Sequence, residues 1–175
     1  MNSCDEQHSG QGRLTQGSPW PSSARPEPRD YVYLTHDQVL TLATEARPWR
    51  LLILLLAYTG LRWGEATALR VCDIDFERRR IDVRRAFSDV GGHIFLGTPK
   101  SHQSRTVPIP RFLTVALATA ATGKHADEAV FTMRSGTVVR LFNWRRAVFQ
   151  PARTWAGVSV PASAFTTCGT PPRHG

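Results

Sequence analysis

The feature that most constrains the fold is a ten-residue segment, Trp49–Tyr58, which is apolar on nearly every side. A helix with this pattern has to be buried, so other elements must cover it on several faces. The segment is far shorter than the roughly 20 residues that cross a bilayer. We therefore predict the central helix of a hydrophobic core, ended by Thr59-Gly60.

Further helices are predicted on both sides of this segment. Thr35 and Gln38 have the spacing of a capping box, so a short amphipathic helix should begin there and end near Arg47-Pro48. Three more helices are predicted over Leu61–Arg70, Phe112–Ala121 and Leu141–Gln150, the last of them stopped by Pro151.

A strand-rich stretch lies between the third and fourth predicted helices. Its apolar residues alternate, and its turns contain glycine and proline. Three strands are predicted: Arg80–Phe87, His93–Leu96 and Arg105–Ile109. Short strands joined by two turns are typical of an antiparallel meander. The expected fold class is therefore α+β, mainly helical with a small three-stranded antiparallel sheet.

The charge balance indicates an acidic partner. The chain has 22 Lys and Arg against 14 Asp and Glu, a formal net charge of +8. Most of the basic residues are arginines, whose planar guanidinium suits phosphate oxygens. Nucleic acid is the partner that this balance favours. The alternative is the generally Arg-rich composition of many small bacterial proteins.

The cysteines indicate a reducing compartment. Cys4, Cys72 and Cys168 are too far apart for a metal site, and their odd number argues against a disulfide framework. The first 20 residues contain no apolar segment of the kind found in signal peptides. We expect a cytoplasmic protein with no metal ion.

Arg62 is the first candidate functional residue. It falls in the predicted first turn of a helix, where a cation opposes the helix dipole. A residue placed against a local rule is a candidate for function, and the free N–H groups of a helix start suit a phosphate. Glu65, one turn on, could hold the guanidinium in place. The alternative is an ordinary exposed Arg62–Glu65 pair.

Lys100 is the second candidate. It lies in the turn of residues 97–105 between two predicted strands, among small polar residues and ahead of Arg105. A lysine at such a tip could reach into a DNA groove. The alternative is a solvated charged loop.

Two sequence blocks together resemble a known family. The blocks TGLRWGEATALRVCDIDF (59–76) and PKSHQSRTVPIP (99–110), with basic strands between them and helices after them, resemble the catalytic domain of tyrosine recombinases of the phage-integrase type. The resemblance covers about residues 31–158. It implies an incomplete tyrosine-recombinase catalytic core there. Residues 1–30 are rich in Ser, Gly, Gln and Pro without apolar periodicity, so we expect them to be disordered or a linker.

The resemblance implies roles for these residues. Arg62 would bind the scissile phosphate, Glu65 would support it, and Lys100 would act as general acid at the leaving 5′-oxygen. Three more residues would contact DNA: Arg84, Arg85 and Arg105. No cofactor or metal is implied, because the energy of the broken bond is kept in a phosphotyrosine linkage. The implied partners are double-stranded DNA and intact recombinase subunits, with no membrane and no small-molecule substrate.

The sequence departs from the family pattern after residue 158. The family's H-x-L-R-H motif and its late nucleophilic tyrosine are missing. None of the three tyrosines follows Arg62: Tyr31, Tyr33 and Tyr58. If codons for residues 165–175 are read two bases on, they can encode H-D-L-R-H. We therefore interpret residues 159–175 as an aberrant tail produced by a frameshift in an integrase gene of a mobile element.

Two hypotheses for function follow. The chain is either a site-specific recombinase whose catalytic domain is only partly represented, and so inactive alone, or a non-catalytic DNA-binding remnant. A helix-turn-helix repressor fits less well because strands interrupt the helices. An Arg-rich RNA binder fits less well because the strands lack aromatic residues for base stacking. We also expect exposed apolar surface, because the family's late helices complete the core.

Overall fold

The computed structural model describes residues 34–98 and 104–158. The proposed linker over residues 1–30, Lys100 and the tail over residues 159–175 lie outside these ranges. The chain forms α1 (His36–Glu45), α2 (Arg50–Thr59), α3 (Trp63–Thr67), a 3-10 turn (Val71–Asp73), β1 (Ile74–Asp75), β2 (Arg80–Val83), β3 (Ala86–Val90), β4 (His93–Gly97), β5 (Arg105–Pro108), α4 (Arg111–Ala121), α5 (Leu141–Trp144), a π-helical segment (Arg145–Phe149) and α6 (Gln150–Trp155).

The apolar helix lies at the centre of the core, as predicted. Residues Leu52–Leu56 of α2 are all buried, and α2 packs against α1, α3 and α4. The facing side chains of α1 and α4 are also buried: Leu42, Ala43, Leu113 and Leu117. Gly60 ends α2 in the left-handed conformation, at φ +64°, which glycine adopts without strain. The helix is thus covered on several faces, which its composition required.

The start of α1 confirms the predicted capping box. The Thr35 backbone N–H donates to Gln38 Oε1 at 2.8 Å, and the Gln38 backbone N–H donates to Thr35 Oγ1 at 3.3 Å. Two N–H groups that the helix start leaves without partners are thereby satisfied. The residue at which α1 begins therefore follows from these two side chains.

The α+β class with small antiparallel sheets is confirmed, but the predicted meander is wrong. One sheet has the order β1-β2-β5, with Ile81 of β2 opposite Ile74 and Val107. The other contains only β3 and β4, joined at Gly91-Gly92. The predicted strand Arg80–Phe87 therefore breaks after Val83. The break arises because β3 leaves the first sheet and packs against α3.

The last predicted helix continues beyond the expected stop at Pro151. Proline lacks an N–H, and its ring crowds the carbonyl four residues earlier. Here the five residues before Gln150 are π-helical, so the backbone is already wider where the proline enters. Phe149 and Ala152 on either side of Pro151 are buried. Core packing thus keeps the chain helical to Trp155, although the local rule predicted an end at Pro151.

Several large apolar side chains are exposed. They belong to the β3–β4 hairpin, α4, the segment after α4, α5 and α6: Val90, Phe95, Leu96, Phe112, Val115, Met133, Phe142 and Trp155. In the part of the chain that the structure describes, no helix is both long enough and apolar enough to cross a membrane.

Candidate functional site

Arg62 occupies the cap position of α3, because the helix begins two residues later than the predicted start at Leu61. Its backbone is extended, at φ −71° and ψ 152°, and α3 begins at Trp63. The helix is also shorter than the predicted Leu61–Arg70. It ends early because the next residues pair with a distant segment: the Val130 N–H donates to Leu69 O at 2.8 Å, and the Val71 N–H donates to Glu128 O at 3.1 Å. Tertiary pairing therefore limits α3 to one turn.

Glu65 contacts Arg62 in two ways, as the spacing predicted. The Arg62 backbone N–H donates to Glu65 Oε2 at 2.8 Å, and Arg62 Nη1 lies 3.4 Å from Glu65 Oε1. The Glu65 side chain is only 1% exposed, whereas that of Arg62 is 41% exposed. The ordinary surface pair is therefore excluded, because the carboxylate is buried.

Arg105 is the stronger partner of Glu65. Its Nη1 donates to Glu65 Oε1 at 3.0 Å and its Nη2 to Glu65 Oε2 at 2.8 Å. Two parallel bonds of this kind form the strongest common geometry of an arginine–carboxylate pair. They join the first residue of β5 to α3. Sequence reasoning assigned Arg105 to DNA and missed this pair, because its members are 40 residues apart. A buried glutamate, which needs a cation, is the signal that could have indicated it.

The two residues between Arg62 and Glu65 position this turn. The Trp63 ring packs against that of Trp144 with centroids 4.7 Å apart. Gly64 has no side chain where β3 passes: a Cβ atom there would lie 2.1 Å from Phe87 O. The sequence Arg62-Trp-Gly-Glu65 therefore holds α3 between α5 and the β3–β4 hairpin.

A second buried carboxylate lies after α3. Asp73 is 4% exposed, and its Oδ1 accepts from Arg85 Nη2 at 2.8 Å. Its Oδ2 accepts from the Arg70 backbone N–H at 3.2 Å. Arg85 Nε is buried, with no hydrogen-bond partner among the described residues. The guanidinium of Arg85, predicted to contact DNA, is thus held by an acid of the protein.

Arg84 differs from its neighbour in being exposed. Its Nη2 lies 3.0 Å from Asp82 Oδ2, and the two side chains are 58% and 43% exposed. Asp82 also accepts from Thr106 Oγ1 at 3.0 Å, across the β2–β5 pair. An ion pair as exposed as this one is weak, so the Arg84 guanidinium can exchange partners.

Tyr58 lies in an aromatic cluster. Its hydroxyl is hydrogen-bonded to His36 Nδ1, and its ring packs edge-on against Phe112 with centroids 5.1 Å apart. The other two tyrosines and Lys100 lie outside the described residues. Within the described ranges, no group of three or more His, Cys, Asp or Glu side chains is placed to hold a metal ion.

The architecture is that of tyrosine-recombinase catalytic domains. The Tn1549 transposon integrase, solved in complex with a circular intermediate DNA, superposes with a TM-score of 0.62 at 18% identity, over 75% of this chain and 47% of that one. The XerA recombinase superposes with a TM-score of 0.56 at 21% identity, over 78% of this chain and 49% of that one. At these identities the likeness shows the fold.

The sequence carries the assignment further. Residues 32–148 match the model of the phage integrase family, so the chain belongs to that family. It is 36% identical over 89 residues to the integrase of Mycobacterium phage D29 and, over the same length, to that of Mycobacterium phage FRAT1. The match covers 49% of this chain but only 24% and 27% of those integrases. The chain therefore matches about a quarter of each relative.

Proposed function

We propose that this chain is part of a tyrosine-type site-specific recombinase and that Arg62 binds a phosphate of double-stranded DNA. The observation that carries the proposal is the exposed guanidinium of Arg62 beside a carboxylate that already has a bidentate partner. Donors of the guanidinium therefore remain for an anion. Family membership supports DNA as the source of that anion.

The remaining basic residues fall into two groups. We propose that Arg84, which is exposed, contacts DNA at the edge of the site. Arg85 and Arg105 are each held by a buried carboxylate, which favours a structural role for them over direct contact with phosphate. Lys100 remains the proposed general acid at the leaving oxygen, on the strength of its motif.

We further propose that the chain alone cleaves no DNA. No tyrosine follows Arg62 in the sequence, and Tyr58 is engaged by His36 and Phe112. Without a nucleophile, a recombinase of this type cannot form its covalent intermediate. The function available to the chain alone is DNA binding, either as a remnant or beside intact recombinase subunits.

DNA binding is tested by fluorescence anisotropy with a labelled duplex at several salt concentrations. We expect the logarithm of the binding constant to fall steeply with the logarithm of salt concentration, because phosphate contacts release counterions. Arg62→Ala should reduce this slope by about 1, the share of one phosphate contact. Arg78→Ala, which removes an equal charge from a 73% exposed side chain, is the matched control. A response that is flat in salt would contradict the proposal.

Cleavage is tested with a nicked suicide duplex that traps the covalent intermediate. We expect no protein–DNA adduct after denaturing electrophoresis. An adduct would refute the claim of inactivity while leaving the family assignment intact, and Tyr58→Phe would then show whether Tyr58 forms it.

The proposed frameshift is tested separately, by sequencing the codons for residues 157–175. A shifted frame that does not encode H-x-L-R-H would refute it.

A further inference from the structure

We infer that Arg105 is a positioning residue whose charge, by neutralising Glu65, keeps Arg62 available for a phosphate group. The inference rests on the proposed function, because it assumes that Arg62 binds DNA. It differs from the expectation that Arg105 contacts DNA itself.

The geometry divides the Glu65 carboxylate unequally between the two arginines. Both oxygens accept from the Arg105 guanidinium, at 3.0 and 2.8 Å. Arg62 gives its short bond, 2.8 Å, from the backbone N–H rather than from the side chain. The Arg62 side chain makes one contact with Glu65, at 3.4 Å, which is long for a charged pair. Arg105 therefore holds the carboxylate, and the Arg62 guanidinium lies beside it only loosely.

The formal charges explain why removal of Arg105 should also remove the phosphate site. Glu65, Arg62 and Arg105 together carry one net positive charge, and the carboxylate is buried. A buried carboxylate is costly without a cation. If Arg105 were removed, Arg62 would be the cation nearest to Glu65 among the residues that the structure describes, and its guanidinium would close on Glu65. The net charge of the pair that remains would be zero, and the phosphate site would be lost with Arg62 still in the chain.

The fold holds Arg105 in place for this role. Arg105 begins β5 and lies opposite Val83 of β2, and Val107 and Ile109 further along are buried. Its backbone is therefore fixed by the sheet, independently of α3. Arg62, at the end of the short link from α2, is positioned through Glu65. The two hydrogen bonds between Arg105 and Glu65 thus fix the position of α3 relative to the sheet.

A double-mutant cycle tests the inference by measuring the affinity of the full chain for a labelled duplex at one salt concentration. We expect Arg62→Ala and Arg105→Ala each to weaken binding about tenfold, the value of one charge-assisted hydrogen bond. The double variant should bind no more weakly than Arg105→Ala alone. If Arg62→Ala weakens binding equally in both backgrounds, Arg105 acts independently and the inference is wrong. If Arg62→Ala has no effect in the wild-type chain, the proposed function fails instead.

A rescue variant separates charge from packing. Glu65→Gln removes the acid that would capture Arg62, so in the Arg105→Ala background it should restore the effect of Arg62→Ala on binding. Failure to restore that effect would overturn the inference. Urea unfolding verifies that each variant is folded. If Arg105→Ala does not fold, Arg105→Lys, which keeps the cation, carries the test. Arg62→Ala must still weaken binding in that background, and its loss of effect there would likewise overturn the inference.

Discussion

Glu65 and Asp73 are two buried carboxylates, eight residues apart, that the chain uses in nearly the same way. Each accepts a hydrogen bond from the backbone N–H of an arginine three residues earlier, Arg62 at 2.8 Å and Arg70 at 3.2 Å. Each also accepts, at 2.8 Å, from an arginine of the strand region, Arg105 or Arg85. The local sequence and the chemistry of the two sites are therefore alike.

The two sites differ in where the guanidinium of the earlier arginine lies. Arg70 lies 3.4 Å from a further acid, Asp127, so its guanidinium has an acidic partner other than Asp73. The pair is weak, because the Asp127 side chain is 86% exposed. Arg62 has Glu65 as its acidic partner, and Glu65 is already held by Arg105. The Asp73 site thus has a second acid nearby for its second arginine, whereas at the Glu65 site two arginines share one carboxylate. A single additional carboxylate separates a structural site from a candidate phosphate site.

The largest effect is expected from Gly64→Ala, which attacks the Glu65 site alone. The added Cβ would lie 2.1 Å from Phe87 O, so β3 and α3 must move apart. We expect a loss of about 3 kcal/mol in the free energy of unfolding, the upper end for overpacking, measured in urea. DNA affinity should fall with it. Gly97→Ala is the matched control, because a Cβ atom there has no neighbour within 4 Å. An unchanged unfolding free energy for Gly64→Ala would contradict the close approach.

Asp73→Asn tests whether the Asp73 site is purely structural. The substitution removes the charge that holds Arg85 and leaves the guanidinium in a largely buried place. We expect a loss of about 2 kcal/mol in the free energy of unfolding, in the range for hydrogen bonds to charged groups. The DNA affinity of the folded protein should not change. A drop in affinity comparable to that of Arg62→Ala would mean that the Asp73 site also serves DNA binding and does not differ from the Glu65 site.

The smallest effect on stability is expected from Arg84→Ala, which removes an exposed version of the same pair. Because both side chains are largely in solvent, the free energy of unfolding should change by less than about 0.5 kcal/mol. Because we propose that Arg84 contacts DNA, we expect the variant to bind DNA more weakly and with a shallower dependence of the binding constant on salt concentration. A stability loss as large as that of Asp73→Asn would mean that burial does not distinguish these pairs.

Local sequence determined the elements that depend on neighbouring residues. The apolar residues of α2 required a buried helix, Thr35 and Gln38 specified the start of α1, and the Arg62–Glu65 spacing predicted their contact. Helix α4 begins one residue before its predicted start and ends at the predicted Ala121. The two motif blocks were sufficient to indicate the family, which the comparisons confirm. In each case the physical cause lies within a few residues of the chain.

The tertiary structure decided everything that joins distant segments. The sequence could not show that β5 pairs with β2 rather than β4, because register depends on which face each strand buries. It predicted an end at Pro151, where packing of Phe149 and Ala152 extends the helix. The sequence also indicated that Arg62 lies beside Glu65, but it did not indicate that Arg105 binds the same carboxylate. A buried carboxylate binds whichever cation the fold brings within reach. In the role that we propose for Arg105, that pairing leaves Arg62 available for a phosphate.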